Sequence, residues 1–144
     1  MSGGASRSAD GVTALTMNPA SRAAAMLLID DEEALVRLGE ELMAQLGYEP
    51  VGFTSSAAAL ESFRHTPRRF DIVVTDEAMP EMTGSELVRE LRKIRPDVPV
   101  VMISGHGNIE TAVNAIKLGA FDFIEKPFKA DRLLVTIERA LENA

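Results

Sequence analysis

Cysteine is absent from this chain. That excludes disulfide cross-links and thiolate metal sites, and it suits a reducing compartment. Tryptophan is absent and tyrosine occurs once, which leaves little with which to build a stacking platform for single-stranded nucleic acid. Basic charge is in deficit: 15 Lys and Arg against 22 Asp and Glu give a formal net charge of −7. A nucleic-acid-binding module normally presents a basic face instead. No apolar run approaches the roughly 20 residues that a membrane helix needs, and the first residues lack the charged start, apolar stretch and cleavage site of a signal peptide. The expectation is a cytoplasmic protein without membrane contact. Neither G-x-x-x-x-G-K-[ST] nor G-x-G-x-x-G occurs, so no phosphate-cradling nucleotide loop is indicated.

What remains is ordinary in bulk and regular in pattern. A length of 144 residues with 46% hydrophobic and 26% charged side chains suits one globular domain with a single core. Residues 1–25 stand apart as small and polar with no sustained period, and read as a flexible leader or linker, with a cap helix over Ala20–Ala25 as the alternative. From Met26 to Ala144 strand and helix signals alternate. Short apolar runs at Met26–Ile29, Pro50–Phe53, Phe70–Thr75, Val98–Ile103 and Phe121–Ile124 predict five strands. Between them, Leu35, Leu38, Leu42 and Leu46 recur at helical spacing and stop at Gly47. Thr54 or Ser55 caps a helix through about Arg64 with Leu60 and Phe63 inward. Thr83 and Gly84 open a helix carrying Leu87, Val88 and Leu91 that closes before Pro96. Ile109, Val113 and Ile116 mark a fourth helix stopped by Gly119, and Leu133, Leu134, Ile137 and Leu141 a fifth. Such alternation implies an α/β domain with a doubly wound parallel sheet of five strands and five helices.

Chemistry-bearing residues follow the apolar runs. Asp30 and Asp31 succeed the first strand, Asp76 the third, Ser104 the fourth and Lys126 the fifth. Open α/β sheets bind ligands outside the carboxyl ends of their strands, so three carboxylates and one ammonium are expected to meet there. Two carboxylates about 4 Å apart repel by on the order of 4 kcal/mol at an effective dielectric near 20. Such a cluster calls for positive charge. With no His or Cys beside it, a hard divalent cation such as Mg²⁺ is the natural occupant, with Lys126 on the other side. A carboxylate can act as nucleophile and form an aspartyl-phosphate, and phosphoryl transfer needs little beyond positioning and neutralisation of the phosphoryl oxygens. Taken singly each feature has a plainer reading: an acid-rich helix start for Asp30-Asp31-Glu32, a loop serine, a surface lysine. His65 reads as a surface residue, and the methionines as packing.

Five segments carry a resemblance: Leu28-Ile29-Asp30-Asp31-Glu32, Val74-Thr75-Asp76-Glu77-Ala78-Met79-Pro80, Met82-Thr83-Gly84, Ile103-Ser104-Gly105-His106 and Lys126-Pro127-Phe128. In this order, each near a strand end, they resemble the receiver domain of two-component response regulators over residues 26–142. The resemblance implies a flavodoxin-like fold with strand order 2-1-3-4-5. It implies Asp76 as phosphoacceptor, Asp31 and Asp76 as direct Mg²⁺ ligands, the Ala78 carbonyl as a third, and Asp30 acting through metal-bound water, with Mn²⁺ able to substitute. Ser104 is implied as the switch hydroxyl, Lys126 as the phosphate-contacting lysine, Phe123 as the switch aromatic (simple core being its plainer reading), and Lys126-Pro127 as a cis bond. Up to about Pro99 the chain is similar to receivers of hybrid histidine kinases; from Val100 on it is similar to nitrogen-regulation activators of the NtrX and NtrC type.

The implied function is transfer of a phosphoryl group from the phosphohistidine of a histidine kinase or phosphotransfer protein to Asp76, followed by a change in a protein-interaction face. Residues 107–142 are the expected place for a homodimer. Such a domain catalyses its own phosphorylation and dephosphorylation without being a conventional turnover enzyme. Two positions depart from common choices in the family. Ala78 is small where a longer polar or basic side chain is frequent, which suggests open access for water and a short-lived phosphoryl group. His106 is polar and is expected near the mouth of the site. A haloacid-dehalogenase-like phosphatase would need a second Asp two residues after the nucleophile, where Ala78 stands. The alternative is a pseudo-receiver that docks or dimerises without phosphorylation. The end of the chain soon after the last helix suggests an excised domain, a stand-alone regulator or a terminal receiver.

Overall fold

The computed structural model describes residues 23–105 and 109–142. Ten elements follow in chain order: β1 (Ala25–Ile29), α1 (Glu33–Gln45), β2 (Glu49–Phe53), α2 (Ser56–His65), β3 (Ile72–Asp76), α3 (Gly84–Ile94), β4 (Val100–Ser104), α4 (Ile109–Lys117), β5 (Asp122–Glu125) and α5 (Ala130–Glu142). All strand pairs are parallel and the sheet order is β2-β1-β3-β4-β5. This is the doubly wound sheet expected from the alternating pattern, with the flavodoxin-like strand order that the resemblance implies. Residues 1–22 of the expected leader lie outside the described residues, as does His106, and Ala25 is already the first residue of β1.

The sheet is covered on both faces, which is why its central strands read as unbroken apolar runs. Leu27, Ile29, Val73, Val100 and Met102 point to the side covered by α2, α3 and α4, where they meet Ala59, Phe63, Leu87, Val88, Leu91 and Ala115. Met26, Ile72, Val74, Val101 and Ile103 point to the other side, toward Met43 of α1 and Leu133, Ile137 and Ala140 of α5. Phe63 and Phe70 stack with their ring centroids 6.2 Å apart. Leu87, Val88 and Leu91 are fully buried, each contributing about 1.5–3 kcal/mol.

Two of the helices depart from the expected inward faces. In α1 it is Val36 and Met43 that are buried, whereas Leu38 is 61% exposed and Leu35 and Leu46 are exposed as well. In α4 only Ala115 is buried, and Ile109, Val113 and Ile116 face outward. Helical spacing shows that these residues share a stripe; it does not say whether the neighbouring element lies close enough to cover it.

Helix ends follow local chemistry. The Ser55 hydroxyl accepts from the Ala58 N–H, and Thr83 and Glu86 form a reciprocal capping box at the start of α3. Gly47 and Gly119 take φ of +95° and +111° just past the ends of α1 and α4, a conformation that costs glycine little.

Candidate functional site

Register carries the reactive groups to one edge. Ile29 pairs with Thr75, so Asp30 and Asp76 are the next residues on adjacent strands. Asp76 pairs with Ile103, one residue before Ser104; Ser104 pairs with Glu125, one residue before Lys126. The Lys126 N–H donates to the Ser104 carbonyl at 2.8 Å, which fixes the lysine beside the end of β4. The Lys126-Pro127 bond is cis, as the resemblance implies.

Asp30, Asp31 and Asp76 each bring a carboxylate oxygen within 4.8 Å of the others. Lys126 Nζ lies 3.5 Å from Asp30 Oδ2 and 3.6 Å from Asp76 Oδ1. The three carboxylates differ in setting. Asp76 is 6% exposed. Asp30 is partly buried and its Oδ1 accepts from the Glu32 N–H at 2.9 Å. Asp31 is exposed. Burial pushes the Asp76 carboxyl above the usual carboxylate range; Asp30 and Asp31 push it the same way, against the opposing pull of Lys126 and of the Glu77 N–H. The site therefore holds a buried acid whose ionised form needs more positive charge than Lys126 supplies.

Receiver domains generally bind Mg²⁺ at an acidic pocket. The donors here fit: three carboxylates converge, and among the described residues no other group of three or more His, Cys, Asp or Glu converges in this way. Ala78, two residues after Asp76, has an exposed side chain. Phe123 stands apart from the cluster, half-buried on β5 opposite Met102. With Ile109, Ala112 and Phe128 it lines an open cleft of ≈ 610 Å³ between α4 and α5. Ser104 is buried at its strand end.

A match to the response regulator receiver domain family spans residues 26–138. The chain belongs to that family. The nitrogen assimilation regulatory protein NtrX of Azorhizobium caulinodans is 45% identical over 120 residues, covering 82% of this chain and 26% of that protein. This receiver chain thus spans about a quarter of the length of the NtrX relatives it matches. The 120-residue match is longer than the stretch from Val100 to Ala144, so similarity to nitrogen regulators is not confined to the C-terminal part. The solved receiver domain of NtrX from Brucella abortus is 44% identical, covers 83% of this chain and 99% of that one, and superposes with a TM-score of 0.75. The beryllofluoride-activated NtrC4 receiver domain, solved as a dimer, is 35% identical over 82% of this chain and 96% of that one, with a TM-score of 0.77. Receiver domains interact with histidine kinases and can dimerise, and NtrC4 is such a dimer.

Two residues to which motif reading gave no part in the site chemistry also shape the site. A Cβ on Gly84 would come within 2.4 Å of the Asp76 carbonyl oxygen, so only glycine lets α3 start this close to Asp76. Glu77 accepts hydrogen bonds from the same helix start. The glycine was visible in the Met82-Thr83-Gly84 segment; the partnership of Glu77 with Ser85, eight residues on, carried no local signal.

Proposed function

We propose that Asp76 accepts a phosphoryl group from the phosphohistidine of a histidine kinase or phosphotransfer protein, and that this shifts a protein-interaction face of the receiver. The observation that carries this reading is the convergence of Asp30, Asp31 and Asp76 within 4.8 Å, with Lys126 reaching two of them. Asp76 supplies the attacking carboxylate oxygen: its bond to phosphorus forms as the phosphorus–nitrogen bond of the donor breaks. Lys126 favours the ionised form of Asp76 against the effect of burial and is placed to meet a phosphoryl oxygen. The Ser104 hydroxyl, on the neighbouring strand end, donates to another phosphoryl oxygen and draws the β4–α4 connection toward it.

Asp31, Asp76 and the Ala78 carbonyl would hold Mg²⁺ directly and Asp30 through water, with Mn²⁺ as a substitute. The cation supplies neutralisation of charge on the transferring phosphoryl group. Movement of Ser104 reaches Phe123 across β4 and β5 and biases two states of residues 104–128. The exposed Ile109, Val113 and Ile116 of α4 then belong to the face that changes partners; the output is a homodimer through residues 107–142, a reading supported by an NtrC4 receiver domain solved as a dimer.

The test is intact mass after incubation with Mg²⁺ and a small phosphoramidate donor. Gain of one phosphoryl group in the wild-type protein, stable to acid, lost in base and absent from Asp76→Asn, is the expected result. No adduct on the wild-type protein, under conditions that label a reactive receiver, would overturn the proposal in favour of a phosphorylation-independent docking module.

A further inference from the structure

Glu77, the residue after the proposed acceptor, is the most heavily bonded residue of the β3–α3 connection. Its N–H points to the Ile103 carbonyl at 2.8 Å and to Asp76 Oδ1 at 3.0 Å. Its carbonyl accepts from the Met79 N–H at 3.1 Å and from the Gly84 N–H at 2.9 Å. Its carboxylate Oε1 accepts from the Ser85 N–H at 2.7 Å and from the Ser85 hydroxyl at 2.9 Å.

These bonds divide into two jobs. The first turn of a helix leaves N–H groups without partners inside the helix. In α3 the Gly84 N–H goes to the Glu77 carbonyl, the Ser85 N–H to the Glu77 carboxylate, and the Glu86 N–H to the Thr83 hydroxyl. Glu77 therefore serves two of these donors from outside the helix, and its negative charge suits the helix start. The second job lies on the other side of Glu77. The bond from Met79 N–H to Glu77 carbonyl closes a three-residue turn with Ala78 at its centre. The peptide groups around Ala78 are oriented by that turn, and the turn is tied to α3 through Glu77.

We infer that Glu77 is a positioning residue for cation binding: by clamping the Ala78 turn to the start of α3, it holds the Ala78 carbonyl in the orientation a metal ligand requires. The inference rests on the proposed Mg²⁺ site and adds to it a residue that does not touch the metal. Mutating a group that orients a ligand from behind typically weakens metal binding by about 10–100-fold. Both bonds from Ser85 reach a single oxygen, so the amide oxygen of glutamine can reproduce them without the charge.

Mg²⁺ affinity is read by amide chemical shifts at a temperature where every variant is folded by far-ultraviolet circular dichroism. Glu77→Ala should weaken Mg²⁺ roughly tenfold or more. Glu77→Gln should stay within about threefold of wild type, since the acceptor oxygen is kept. Thr83→Ala, which removes a cap from the same helix without touching Glu77, should lower Tm yet leave Mg²⁺ affinity within about twofold. Wild-type affinity in Glu77→Ala would overturn the inference. So would equal weakening in Glu77→Gln, which would make the effect one of charge, or in Thr83→Ala, which would make it one of helix stability. A wild-type protein that shows no Mg²⁺-dependent shifts would instead remove the metal site itself, and the positioning role with it.

Discussion

At the carboxyl end of the sheet, three carboxylates crowd within 4.8 Å and one lysine reaches two of them. At the amino end, groups are matched one to another. Arg95 Nη1 donates to the carbonyls of Pro67 and Phe70, its Nε lies 3.2 Å from Asp97, and Asp71 Oδ2 accepts from the Ala25 N–H. The same strands run through both ends, so the difference does not lie in the scaffold. At the amino end the named side chains, Arg95 and Asp71, each have protein partners. At the carboxyl end three carboxylates share one lysine, and burial, with Asp30 and Asp31 adding to it, raises the Asp76 carboxyl.

The contrast can be sharpened first with metal. At Mg²⁺ a hundredfold above its dissociation constant the wild-type protein should gain about 2.7 kcal/mol of stability. Arg95→Ala should gain the same increment, and Asp76→Asn much less; urea titrations with and without Mg²⁺ read both. Arg95→Ala itself should cost about 1–3 kcal/mol, because the Pro67 and Phe70 carbonyls lose their side-chain donor, and urea midpoints without metal measure it. Equal Mg²⁺ dependence of the loss would break the separation between the two ends.

A smaller effect follows from the Asp76 carboxyl. The folded protein holds this proton more tightly than the unfolded chain does, so Asp76 lowers stability as pH rises from the ordinary carboxylate range through its own raised value. Without metal, Asp76→Asn should remove that component of the pH profile and raise Tm at neutral pH. A lower Tm for the variant would mean that Lys126 over-compensates the carboxylates. Smallest is the effect of Ala78→Arg, which puts bulk over an open approach to Asp76 and should lengthen the phosphoryl lifetime by a few-fold, on the order of 1 kcal/mol in barrier. Loss of phosphate followed by intact mass gives the rate, and an unchanged rate would show that Ala78 does not control access for water.

Much of the site was legible because strand ends and turn residues are local signals. Asp30, Asp76, Ser104 and Lys126 each follow an apolar run, and parallel pairing needs only consistent register to bring them to one edge. The capping box at Thr83 and Glu86 was written in the sequence as T-x-x-E. Leu35, Leu38, Leu46, Ile109, Val113 and Ile116 were legible as helix stripes, yet each is left 39–85% exposed.

By itself, then, the sequence determined the alternation of strands and helices and the residue that ends each strand, because period and punctuation act over a few residues. Tertiary structure alone decided which leucines of α1 are covered and how far the buried Asp76 carboxyl rises. It alone decided that Glu77 meets Ser85 and that Gly84 abuts the Asp76 carbonyl. Desolvation, close packing and long-range hydrogen bonds depend on distances between segments, and no periodicity along the chain encodes those distances.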